Sequence, residues 1–109
     1  MKILKDLGQV LEIMSRKLNE LRKKFDEADG EEASEISGQE VAIIDIMGHI
    51  RQASEGHGYF GVEDMAGVYA YAADAKKNTY EHLNPRDTWF AKGRAEGAAW
   101  ALKEIEKRR

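Results

Sequence analysis

The chain contains no cysteine, and Pro85 is its only proline among 109 residues. Without cysteine there is no disulfide framework, no thiolate nucleophile and no Cys-ligated metal, and a reducing, cytoplasmic setting is favoured. Aromatic residues make up only 8% of the sequence. No apolar run approaches the length of a membrane span, and the N-terminal stretch "MKILKDLGQVLEIM" has no unbroken apolar core of signal-peptide length. Neither sign of charge is in large excess. The net charge is −3, so no overall field attracts nucleic acid or an anionic membrane. The two basic stretches, "RKLNELRKK" and "KEIEKRR", both contain acids and lack interleaved aromatics. They read as solvated helix ends, with cations favoured near C-termini. A locally one-sided segment does exist. Residues 29–49 carry six acids and no lysine or arginine, between basic ends that they are placed to meet.

What is present is helix-forming. The composition, 42% hydrophobic and 34% charged, is that of one globular domain with a wet surface. Leu4, Leu7, Leu11, Met14, Leu18, Leu21, Phe25 and Ala28 follow a 3–4 repeat, flanked by Ile3 and Val10 in its first half. This predicts a long heptad-patterned helix over about residues 2–28. "EADGEEASEISG" reads as an acidic turn. It ends in a capping box, Ser37 with Glu40, and a staple, Ile36 with Val41. A second helix is therefore expected from about residue 38 to 54. Its apolar stripe is Ile43, Met47 and Ile50, widened by Ile44 and Ile46. A third helix, about 62–82, has the seam Val62, Met65, Tyr69, Ala72, Lys76, Thr79 and Leu83. Asn84, Pro85 and Asp87 open a fourth helix over about 85–107, with Phe90, Ala91, Ala98, Ala101, Leu102 and Ile105 on one face. The expected fold is all-α: one domain of residues 1–109, as a four-helix bundle or an antiparallel helical-hairpin assembly.

Residues 56–61, "GHGYFG", spell the G-x-G-x-x-G fingerprint of a dinucleotide-binding loop. That loop works only between a strand and a helix N-terminus, where free N–H groups hold the pyrophosphate. Here the polar "RQASE" leads in and Glu63 and Asp64 follow, where two carboxylates would repel phosphate. The stretch therefore reads as a turn. His57, Tyr59 and Phe60 then sit on its tip as ligand-binding candidates, with the rings as plugs for the bundle end as the plainer reading.

Asp45 and His49, four apart on one helix face, have the spacing of two metal ligands. A site needs a third, and a solvent-facing ion pair is the simpler expectation. Neither a metal nor any other cofactor is expected, and no G-x-S-x-G or His–acid arrangement supports nucleophilic catalysis. Arg94 falls on the alanine-rich face of the fourth helix. It needs a partner there, either an acid from residues 29–49 or an anionic ligand. Trp89 and Trp100, eleven residues apart, project within roughly 20° of each other with Gly93 and Gly97 between them. Such a strip admits the backbone of another helix, with the indoles as anchors; the alternative is that both tryptophans are core in a bundle that buries this helix on two sides.

Glu31, Glu32 and Glu35, followed by Glu40 and Asp45, resemble the motifs of MazG-type nucleotide pyrophosphohydrolases. Those small all-α enzymes carry E-E-x-x-E and then E-x-x-D and bind magnesium. The first trio matches. The second pair departs in spacing, and the capping box would leave the trio in a loop. The resemblance covers about 15 residues, and it implies a metal-dependent hydrolase as the alternative to the main expectation. That main expectation is a non-catalytic helical scaffold, adaptor or inhibitor, of a size and plainness that fits a phage or mobile-element accessory protein. It is expected to self-associate, most simply as a dimer, through the ladder from Leu4 to Phe25 and through Trp89, Gly93 and Trp100, and to bind neither nucleic acid nor membrane.

Overall fold

Four helices build the computed structural model of the chain, which describes residues 7–58, 60–80 and 85–107. They are α1 (Leu7–Glu27), α2 (Gly30–His57), α3 (Met65–Lys77) and α4 (Pro85–Glu106). Short 3-10 turns, Val62–Asp64 and Asn78–Tyr80, extend α3 at both ends. No strand occurs among the described residues, and the helices pack as a bundle. None of them is long and apolar enough to cross a membrane.

The fourth helix runs nearly as its sequence predicts, and the second does not. It begins at Gly30, not near residue 38, so Ser37 and Glu40 lie inside a helix and cap nothing. The turn is reduced to Ala28 and Asp29, with Asp29 extended and Gly30 at φ +58°, a left-handed value that suits glycine. Gly38, which reads as a turn residue, has another reason to lack a side chain. A Cβ there would lie 2.0 Å from the Phe90 carbonyl oxygen of α4. The extra turns make α2 28 residues long. At 1.5 Å per residue that is about 42 Å, close to the molecule's 44 Å long dimension.

The closest pairing is α2 with α4. Gly93 packs on Glu35, Gly38 on Phe90 and Arg94, and Gly97 on Gln39 and Ala42. Numbers rise together in these contacts, so the two helices run parallel, as alternate helices of an up-and-down bundle do. The two-residue link between α1 and α2 spans at most about 7 Å, so α1 must run back along α2. α3 returns in the opposite sense to α2 and α4: Tyr71 meets Arg94 and Tyr69 bonds to Glu106, while Gly67 sits by His49 and Tyr71 by Asp45.

One apolar cluster joins the helices. It contains Val10, Met14, Leu18 and Leu21 of α1, Ile43, Ile46, Met47 and Ile50 of α2, Val68 of α3, and Ala98, Ala101 and Ile105 of α4. Fully burying a leucine or isoleucine contributes about 1.5–3 kcal/mol, so this cluster dominates stability. The centre of the α1 ladder is therefore covered within the chain. Val10, read from sequence as a flank, is fully buried, and Leu11 is only half-buried. Phe25 is 42% exposed. Leu4 lies outside the described residues, as does the Leu7 side chain. The α3 seam holds at Met65, which is buried, and slips by one position after it; Leu83 and the Val62 side chain lie outside the described residues. Val68 and Ala75 are buried, while Tyr69 and Lys76 are exposed. Alanines at 66, 70, 72, 73 and 75 surround the seam, so the apolar period alone does not fix its phase.

Candidate functional site

The glycine motif is a helix end. α2 continues through His57, and Gly58 closes it at φ +81°, its N–H donating to the Ser54 carbonyl at 2.7 Å. Tyr59 and the His57 side chain fall outside the described residues. Phe60, a ligand-binding candidate from sequence, is 1% exposed and belongs to the core cluster, so it plugs the bundle and meets no solvent ligand. The Gly61 N–H is taken by the Asp64 carboxylate at 2.7 Å, and Asp64 N–H returns a bond to the Gly61 carbonyl at 3.0 Å. The group that would greet a phosphate is thus occupied by an acid of the chain itself.

The polar centre of the molecule lies where α2, α3 and α4 meet. Tyr71 Oη donates to Asp45 Oδ2 at 2.5 Å and accepts from Arg94 Nε at 3.1 Å. Arg94 Nη2 reaches Asp74 Oδ2 at 3.6 Å, and its guanidinium lies over the Tyr71 ring, 4.7 Å from the centroid. His49 meets the same ring edge-on, with centroids 6.0 Å apart. Asp45 and His49 therefore do not form the ion pair their spacing suggests. Both turn to Tyr71. Arg94 finds the acid it needs, but the direct partner is Asp74 of α3, and Asp45 of the 29–49 segment acts through Tyr71. Burial works against the Arg94 charge, while Tyr71, Asp74 and Asp45 outweigh that cost and favour it.

Tyr71 and Asp74 went unnoticed in the sequence as a site. They sit three apart on α3, and a lone arginine on an alanine-rich face was the signal that such a pair had to exist. Burial, then the bond to Asp45, pushes the Tyr71 hydroxyl up to about 12, against the opposing pull of Arg94. An unfolded tyrosine titrates near 10. Stability from the protonated hydroxyl is fully present below about pH 10 and is lost as pH rises towards the folded value. Phenolate absorbance is expected to show one of the four tyrosines titrating near pH 12. Tyr71→Phe should remove that step and flatten the loss of stability above pH 10. A titration unchanged in the variant would contradict the network.

A second polar contact joins α2 to α4. Glu35 hydrogen-bonds Glu96, which also accepts from Gln39 Nε2 at 3.2 Å. Burial and then Glu96 hold the Glu35 carboxyl above its usual range, opposed by Lys92. The stabilising form is the protonated one. It is fully present below the unfolded value of 4.5 and lost as pH rises through the folded one. Glu35→Gln is therefore expected to raise stability at pH 7 by about 0.5 kcal/mol and to bring no gain at pH 4. Urea unfolding at the two pH values checks this.

The acidic motif segment is helical. Glu31 and Glu32 are exposed in the first turn of α2, and Glu35 faces α4. The loop expected for the trio is thus corrected. Glu31 and Asp45 are about 21 Å apart along the helix at 1.5 Å per residue, too far to share one ion. No group of three potential metal ligands converges among the described residues.

The tryptophan strip is filled from inside the chain. A Cβ at Gly93 would lie 1.8 Å from the Glu35 carbonyl oxygen, and one at Gly97 2.7 Å from that of Gln39. The close helix approach expected at Gly93 is thus made by α2 of the same chain. Trp89 and Trp100 are half-buried. Lys92 Nζ caps the first at 4.6 Å and Lys17 Nζ of α1 the second at 5.6 Å, and Trp100 also packs on the core. Phe25 lines an open groove of about 580 Å³ at the α1–α2 turn, with Glu31, Asp87 and Phe90.

No protein-family model, curated protein or solved structure matches the chain.

Proposed function

We propose that this chain is a non-catalytic helical interaction protein that acts as a homodimer, in the manner of a scaffold, adaptor or inhibitor. One observation carries this reading. α2 is packed by the other three helices, yet Val41 and Ile44 on its remaining face are 36% and 47% exposed. Two large aliphatic side chains adjacent on one helix face, at i and i+3, make a contiguous apolar strip in the middle of the longest helix. The centre of the α1 ladder, Met14, Leu18 and Leu21, is buried within the chain, and the glycines of the tryptophan strip pack on α2, so this face is the better candidate for association.

The chemistry of the polar centre supports the same reading. Asp45, Tyr71, Arg94 and Asp74 satisfy one another, as a network that fixes three helices does. The hydrolase alternative requires Glu31, Glu32 and Glu35 to act with Glu40 and Asp45. Glu35 is bound to Glu96 and Asp45 to Tyr71, which disfavours it.

Native mass spectrometry of the purified chain tests the reading. A two-chain species carrying neither metal nor ligand is expected. A 12.3 kDa monomer that retains magnesium or a nucleotide would overturn it in favour of the hydrolase.

A further inference from the structure

Three glycines in the helix interiors, Gly38, Gly93 and Gly97, are explained by the crossing of α2 and α4. Gly48 is not. It lies more than two turns from either end of α2, where glycine costs about 1 kcal/mol relative to alanine. A Cβ at Gly48 would meet nothing within 4 Å. Nothing among the described residues accounts for its missing side chain. Gly48 falls four residues after Ile44 and seven after Val41, so it continues their exposed strip.

The surroundings of the strip say what covers it. Ile44 borders a groove of about 360 Å³ between α1 and α2, floored by Leu18 and Met47 and rimmed by Arg22 and Arg51. Among the described residues, Arg51 and Glu40 have no ion-pair partner. They lie on the same edge of the strip, Glu40 four residues before Ile44 and Arg51 three residues after Gly48. This arrangement is self-complementary in charge when reversed. Two α2 helices laid antiparallel about a twofold axis between Ile44 and Gly48 place the Ile44 of each copy over the Gly48 of the other. Arg51 then comes opposite Val41 of the second copy. It is within one residue, about 1.5 Å of helix rise, of that copy's Glu40.

Resting on the homodimer reading, we infer that the Val41–Ile44–Gly48 face of α2 docks a second copy of this chain antiparallel. Ile44 fills the space left by Gly48, and Glu40 pairs with Arg51 across the twofold axis. The bare position lets the two backbones approach, the isoleucines supply apolar contact, and the charges fix direction and register.

Sedimentation velocity on four variants tests this. Gly48→Leu projects into open space within the monomer, so the helical circular-dichroism signal and unfolding cooperativity should be retained. It should nevertheless weaken dimerisation by at least about tenfold. Glu40→Lys and Arg51→Glu should each weaken the dimer about three- to tenfold, and the double variant should restore it to near the wild-type value. A wild-type dimer that is indifferent to Gly48→Leu and to both charge reversals overturns this geometry, while the homodimer reading survives through another face. A wild-type chain that is monomeric throughout overturns both.

Discussion

Gly93→Ala is expected to lower the stability of the chain by about 3 kcal/mol or more, although a helix-interior glycine normally gains about 1 kcal/mol on becoming alanine. The added methyl carbon would lie 1.8 Å from the Glu35 carbonyl oxygen and 2.9 Å from its Cα. Both are backbone atoms of a helix, so no rotamer change relieves the clash. α2 and α4 must separate, and Ala42, Ala98 and Ala101, all fully buried, would lose their contacts. The effect should be graded. Gly97→Ala meets the Gln39 carbonyl at 2.7 Å and should cost less. Urea unfolding gives the answer as a fall in midpoint with little change in slope. A loss below about 1 kcal/mol at Gly93 would mean that the two helices are not in this register.

Arg94→Ala should cost about 2 kcal/mol. The side chain is 23% exposed and its charge serves Asp74 directly and Asp45 through Tyr71. Removing it leaves Tyr71 Oη without a donor and Asp74 without its cation. Asp74 is 59% exposed, so water screens part of the loss, and the figure is set below that for a fully buried pair. Arg94→Lys should not rescue the loss. One ammonium cannot replace a fork that reaches Tyr71 through Nε and Asp74 through Nη2. In a double-mutant cycle Arg94→Ala and Tyr71→Phe should couple by about 1 kcal/mol. Additive effects would show that the contacts do not act together.

The helices were legible where one period dominated. The α4 apolar face, with Ala91, Ala98, Ala101 and Ile105, is buried as its spacing implies, and Pro85 opens it. In α2 the local signals pointed elsewhere. Asp29, Gly30, Ser37, Gly38 and Glu40 make good turn and cap chemistry, but Gly38 is needed for contact with α4, some 55 residues away in sequence. A glycine chosen for a long-range contact is indistinguishable, within its own window, from one chosen for a turn. The same ambiguity affected Gly93, where a close helix approach was readable but the identity of the approaching helix was not. In α3, alanines on several faces left the phase open, and so Tyr71 was missed as the centre of the polar network. Arg94 announced that network through its misplaced charge. Its partner's position depended on α3 packing between α2 and α4, which no local pattern encodes.

If α2 and α4 are joined by their glycines within one chain, the Val41–Ile44 face of α2 remains for a second copy. Sedimentation equilibrium of the wild-type protein across micromolar concentrations tests this most directly. The expected result is a reversible rise in mass from 12.3 kDa towards twice that value, and no higher. A constant mass of one chain at every concentration would contradict it.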